Sequence, residues 1–142
     1  MTLLTSIPKD TRQQLVWLLD QLVSPGVVSA TLAATDGLVL SHTDGISRDD
    51  AEALAAAVSG LWSLGRAQSH LVGGGLRQQL LEYDGGMLLL SAAGEQTALA
   101  VVTGPAHEVE VDVVAHRMNE LAAQVGPILS APPRRADGPG RS

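Results

Sequence analysis

The sequence contains no cysteine and no phenylalanine, and its only aromatic side chains are Trp17, Trp62 and Tyr83. Without cysteine there are no disulfides, no thiol nucleophile and no thiolate ligands for a metal. Three aromatics are too few for a base-stacking platform, which weighs against single-stranded nucleic acid as a partner. Lysine is nearly missing too: Lys9 is the only one among nine basic residues, and fifteen acidic residues bring the net charge to −6. That sign opposes binding to nucleic-acid phosphates or to an anionic membrane surface. No window approaches the ~18 consecutive apolar residues of a membrane span, so no direct membrane insertion is expected. The opening MTLLTSIPKD lacks the basic start and long apolar run of a secretory signal, and the expected location is the cytoplasm.

What is present is aliphatic. Of 142 residues, 45% are apolar, enough for one domain with a core built mainly of leucine, valine and alanine. Arginine in place of lysine, together with abundant alanine, fits a GC-rich bacterial genome. Residues 1–7 read as a short arm. From about Pro8 to Ser24 the apolar set Leu15, Leu18, Leu19, Leu22 and Val23 recurs at helical spacing, and Pro25-Gly26 stops it. Residues 27–34 and 38–42 read as strands joined at Asp36-Gly37, a hairpin signal because glycine readily takes positive φ. A second helix is expected from about Ser47 to Leu71, with Ser47 as N-cap, Asp50 completing a capping-box-like pair, and Asp49, Asp50 and Glu52 at the positive end of the helix dipole. Strands follow at about 76–83, 87–92 and 97–103. A third helix spans about Glu108 to Leu129, with the stripe Val111, Val114, Met118, Leu121, Val125 and Ile128. The Pro-, Gly- and Arg-rich residues 131–142 are expected to be disordered. Hairpin-linked strands with interspersed helices make an α+β fold, order α-β-β-α-β-β-β-α, on a five-stranded antiparallel sheet.

No motif in the chain carries chemistry. A Gly-x-Ser-x-Gly elbow, a His-Glu-x-x-His pair and a Walker-type Gly-Lys-Ser/Thr are all missing. Gly73-Gly74-Gly75 follows a helix where a phosphate loop would open one, so it reads as a helix stop. His116 and Glu120 share a helical face, but two ligands do not make a zinc site. Thr-Asp-Gly occurs twice, at residues 35–37 and 43–45. A strand of about five residues holds Asp36 and Asp44 about 17 Å apart, too far to share a metal or act as a retaining-type carboxylate pair. Both are read as turn residues. No catalytic residue, metal or cofactor is expected.

The second helix is unusual. A helix lying on one sheet needs an apolar stripe of about 100°, yet here small and apolar residues surround most of the circumference. Leu54, Val58, Leu61 and Gly65 make one face. Ala53, Ala57, Gly60, Leu64 and Ala67 make an adjoining one, which Trp62 extends. The simple alternative is burial within one chain, with alanine serving helix propensity. The reading adopted is a helix with two contacts, one to its own sheet and one to another chain. The remaining strip, Ala56, Ser59 and Ser63 with Arg66 beside it, is left for solvent or a further partner.

Taken together, VVSATLAATDGLVLSHTDG, the alanine-rich AEALAAAVSGLWSLG, the late strand TALAVVTG and the terminal HRMNELAAQVGPIL resemble the roadblock (dynein light-chain roadblock) family over residues 8–130. The resemblance implies a three-layer, profilin-like fold with the middle helix on one sheet face and the terminal helices on the other. It further implies a homodimer formed by the middle helix and third strand, here Ala53, Leu54, Ala57, Gly60, Leu61, Leu64 and Ala67 with Leu76, Gln78 and Leu80. Where many relatives carry an Asp-Leu-Gly-like turn before the last helix, this chain has Ala106-His107-Glu108-Val109-Glu110.

Three functions follow from these readings. One is a non-catalytic regulator of a small Ras-like bacterial GTPase. Another is a scaffold in a signalling complex, for example with a membrane-associated sensor kinase. The last is a small-ligand sensor of PAS or GAF type, which requires a pocket with convergent polar groups.

Overall fold

The computed structural model describes residues 7–130. The expected tail, and the expected arm except for Ile7, lie outside the described residues. Ile7 itself is buried in the core.

Helix α1 (Lys9–Asp20) leads into strands β1 (Val27–Ala34) and β2 (Val39–His42). Helix α2 (Arg48–Ala67) follows, then the single turn α3 (Ser69–Val72). Strands β3 (Gln78–Tyr83), β4 (Gly86–Ala92) and β5 (Thr97–Thr103) precede a short 3₁₀ turn (Ala106–Glu108) and helix α4 (Val111–Ser130). The strands form one antiparallel sheet in the order β2-β1-β5-β4-β3, which leaves β3 at an edge.

Alternation along the strands sorts the core into two layers. Ala30 and Leu32 of β1, Leu89 of β4, and Leu99 and Val101 of β5 face α1 and α4, where Leu15, Leu19, Met118 and Val125 cover them. The intervening residues Ala33, Leu88, Leu90, Ala98 and Ala100 face α2. Because helices cover both faces, β1 and β5 read as almost unbroken buried runs. The middle helix thus lies on one face and the terminal helices on the other.

Three boundaries differ from expectation. α1 stops at Asp20, so Val23 falls outside the helix and is exposed. α2 stops at Ala67, where the Gln68 N–H bonds to the Gly65 carbonyl three residues back and tightens the last turn. That break separates α3 from α2 and leaves Leu71 and Val72 exposed. The residues before α4 begin as the 3₁₀ turn, and the regular helix starts at Val111.

Candidate protein–protein interface

The repeated Thr-Asp-Gly segments set the course of α2. At the first, Gly37 takes φ +101° and the Asp36 carboxylate accepts the Leu38 N–H at 3.3 Å, which closes the β1–β2 turn. At the second, the Thr43 hydroxyl accepts the Ala30 N–H at 3.0 Å and holds the chain beside β1 after β2 has ended. Gly45 then lies so close to the Val28 carbonyl that a Cβ has no room. Two residues later the Ser47 hydroxyl accepts the Asp50 N–H at 3.1 Å and starts α2. Both aspartates are turn residues, at the two ends of a strand and its exit.

The face that α2 turns to the sheet is Ala51, Ala55, Val58 and Trp62. Ala51 and Ala55 rest on Ala33 and Val39, while Val58 and Trp62 pack on Leu88, Leu90, Ala98 and Ala100. Small residues on both sides bring helix and sheet together, and Trp62 fills the wider end. Trp62 is therefore a core residue, not an extension of the outer apolar arc.

Two flanks border this face, about 60–80° to either side. Toward the β3 edge lie Leu54, Leu61 and Gly65. Leu54 and Leu61 are half-buried and pack, with Leu76, against the layer beneath α2. Gly65 lies against Gln79 and Leu76, where a Cβ would come within 2.7 Å of each. The Gln79 amide also donates to the Leu61 carbonyl at 2.9 Å, which fastens the end of α2 to the beginning of β3. Beyond this flank Ala53, Ala57, Gly60, Leu64 and Ala67 are exposed, Leu64 by 68%. A Cβ at Gly60 would touch nothing, so the arc is open.

The other flank carries the residues expected to meet a further partner. The Ser59 hydroxyl donates to the Thr35 carbonyl at 2.7 Å, so it helps hold α2 over the β1–β2 turn and is only half-buried. Ala56, Ser63 and Arg66 are exposed. Arg66 borders a cleft of about 960 Å³ that it shares with Trp62, Asp36, Glu95 and the Gly74-Gly75 backbone. That cleft is the nearest thing to a sensor pocket among these elements, and acidic and basic groups line it together.

The structure divides the expected interface residues of β3. Leu76, which precedes β3 although the strand is expected from about 76, belongs with α2, as do the unpredicted Gln79 and Leu81. Gln78 and Leu80 project from the opposite face: the Gln78 amide bonds to Asn119 of α4 at 2.9 Å, and Leu80, 51% exposed, borders a crevice with Leu89 and Met118. The strand edge between them has no pairing strand among the described residues. Sequence reasoning also passed over Tyr83, which is 58% exposed at the end of β3. The adjacent leucines Leu80 and Leu81 were the available signal, because they give an edge strand apolar groups on both faces.

His116 and Glu120 lie 3.3 Å apart on the exposed side of α4, and His107 lies 3.4 Å from Glu108. Among the described residues no group of three His, Asp or Glu side chains is arranged to hold a metal ion, and no helix is long and apolar enough to cross a membrane.

The Roadblock/LC7 domain model matches residues 15–103, which include both strands that frame α2 and the edge strand β3. The chain belongs to the Roadblock/LC7 domain family. It is 39% identical to a Roadblock/LC7 domain from Streptomyces avermitilis, over 82% of this chain and 98% of that one, with a TM-score of 0.76. The fold is also shared with the gliding protein MglB of Thermus thermophilus (18% identity, 86% and 93% coverage, TM-score 0.76). It is shared again with Myxococcus xanthus MglB (16% identity, 89% and 97% coverage, TM-score 0.76). No curated protein matches this roadblock domain in sequence.

Proposed function

We propose that this roadblock domain is a homodimeric, non-enzymatic regulator or scaffold for a small Ras-like GTPase in a bacterial signalling complex. The observation that carries the proposal is the exposed apolar arc of α2, Ala53, Ala57, Gly60 and Leu64, on a helix whose C-terminal end is fastened to the start of β3, an edge strand unpaired among the described residues. An open strand edge next to an apolar helix face calls for a covering surface, and a second copy brings the same two features. Family membership supports this choice, as does the fold shared with MglB-type gliding proteins. By the same resemblance, the dimer presents its helix surface to the GTPase through the strip around Ala56, Ser59, Ser63 and Arg66.

Any effect on turnover is by positioning the GTPase's own groups. The test has two parts: sedimentation equilibrium of the purified protein, and single-turnover GTP hydrolysis by a small GTPase encoded beside its gene. A dimer that alters hydrolysis supports regulation. A dimer that binds the GTPase without altering hydrolysis supports scaffolding. A dimer that binds no such GTPase removes the GTPase reading. A metabolite retained through purification, located in the cleft between Arg66 and Glu95, is the result that favours a ligand sensor.

A further inference from the structure

We infer that the segment following α4 docks on its own chain, with Arg134 and Arg135 in the cleft between Asp36 and Glu95. The inference stands apart from the dimer and the GTPase proposed above.

The cleft, about 960 Å³, opens at the end of the sheet where β1 turns into β2 and β4 into β5. Asp36 of the first turn and Glu95 of the second line it, opposite Trp62 and Arg66 at the C-terminal end of α2. Both carboxylates are exposed, and neither is in an ion pair among the described residues. Arg66 is the only cation among the lining residues. Two carboxylates and the negative end of the α2 dipole outweigh it, so the cleft favours a cationic occupant.

The course of α4 brings such an occupant to the rim. Glu108, just before the helix, lies against Gly26 and Gly104 at the far end of β5. From there α4 runs back along the sheet to the β4–β5 turn, where a Cβ on Gly94 would stand 3.4 Å from the Gly126 Cα. Gly94 adjoins Glu95, so the helix reaches the cleft four residues, or about 6 Å, before its own end at Ser130. Arg134 and Arg135 are the fourth and fifth residues beyond Ser130, and an extended chain covers at most about 18 Å over that distance. The turn is within their reach. The opposite end of the sheet, where α4 begins, is about 30 Å of helix away and is not.

Charge selects the same partner. Residues 131–142 hold three arginines and one aspartate, a charge of +2, which leaves −8 on residues 1–130 out of the net −6. Guanidinium groups fit carboxylates in a forked, two-bond geometry. Single exposed ion pairs are weak, but a short tether supplies an effective concentration of about millimolar. A weak site is then filled from within the chain. Pro132 and Pro133 reduce the entropy lost when the segment is fixed.

The test uses the full chain and its lack of native cysteine. Ala136→Cys is labelled with a nitroxide, and the amide signals of the isotope-labelled protein are recorded before and after the nitroxide is reduced. Signals of Thr35, Glu95 and Gln96 should be lost to the spin label, and those of Gly26 and Gly104 kept. Arg134→Glu with Arg135→Glu should restore the lost signals several-fold, and adding Glu95→Arg should bring the loss back. Spin-labelled protein without isotope, mixed with isotope-labelled protein without spin label, should show no loss, because the contact lies within one chain. A loss that charge reversal leaves unchanged reflects the tether alone and overturns the inference. So does a loss in the mixed sample, which places the segment on another copy, or no loss at the cleft at all.

Discussion

At the scale of single residues, three positions show how little slack surrounds α2. The Thr31 hydroxyl is completely buried and, among the described residues, has no hydrogen-bond partner. A buried hydroxyl without a partner carries its desolvation cost uncompensated. Thr31→Val, which keeps the shape and removes the polar atom, should stabilise the fold by ~1 kcal/mol, read as a higher urea midpoint at constant m-value. Gly86→Ala should do the reverse, because the new methyl meets the Thr103 backbone carbonyl, which cannot swing aside. The expected loss is ~2 kcal/mol or more, measured in the same titration. Ser47→Ala removes the acceptor for the Asp50 N–H and should cost ~1 kcal/mol. A normal midpoint for this variant would mean that the capping bond is not made in solution.

At the scale of elements, α2 shows both what patterning reveals and where it stops. The breadth of its apolar arc was visible in the sequence, and the exposed Ala53, Ala57, Gly60 and Leu64 agree with a surface beyond the sheet contact. Its division into faces was displaced. Leu54, Val58, Leu61 and Gly65 were grouped as one face and Trp62 as an extension of the adjoining one, whereas Leu54, Leu61 and Gly65 form the flank and Trp62 lies at the centre of the contact. Helical periodicity relates residues to one another around a cylinder, but it leaves the cylinder free to rotate. Its rotation is set by Ala33 of β1, which admits α2 closely at one end, and by the space above Ala98 and Ala100 of β5, which the indole fills at the other. If the outer arc meets a second copy, Ala57→Arg and Gly60→Arg should each give a folded monomer, since a long charged chain replaces close backbone contact. Sedimentation gives the mass and circular dichroism the fold. A folded dimer in both cases would place the interface elsewhere.

At the scale of the molecule, the sheet order leaves β3 at the margin to which the C-terminal end of α2 is fastened. α2 reaches β3 through Gln79, so the exposed end of the helix arc meets the start of a strand edge that is unpaired among the described residues. This arrangement leads to a prediction about activity. If the domain regulates a small GTPase as a dimer, Ala57→Arg should abolish the effect on turnover, because the dimer no longer forms. Arg66→Ala should weaken it while leaving the dimer intact, because Arg66 lies on the flank away from β3. Single-turnover hydrolysis with and without each variant distinguishes the two. Equal loss from both, with Arg66→Ala still dimeric, would show that the polar flank matters as much as dimerisation.

The sequence by itself determined the kind and order of the main elements, the turn role of Asp36 and Asp44, and the excess of apolar surface on the middle helix. These are local properties, carried by spacing, caps and glycine punctuation along a short stretch of chain. Only the tertiary structure decided that β3 stands at an edge, that Gln78 and Leu80 look toward α4 instead of α2, and that Tyr83 is exposed at the end of β3. Each of these depends on which strand neighbours which. The order β2-β1-β5-β4-β3 brings β1 against β5, the first strand against the last, and no periodicity within either strand encodes that pairing. Once the pairing is made, alternation assigns every strand side chain to a face, and β3 is left as the edge to which the C-terminal end of α2 is fastened.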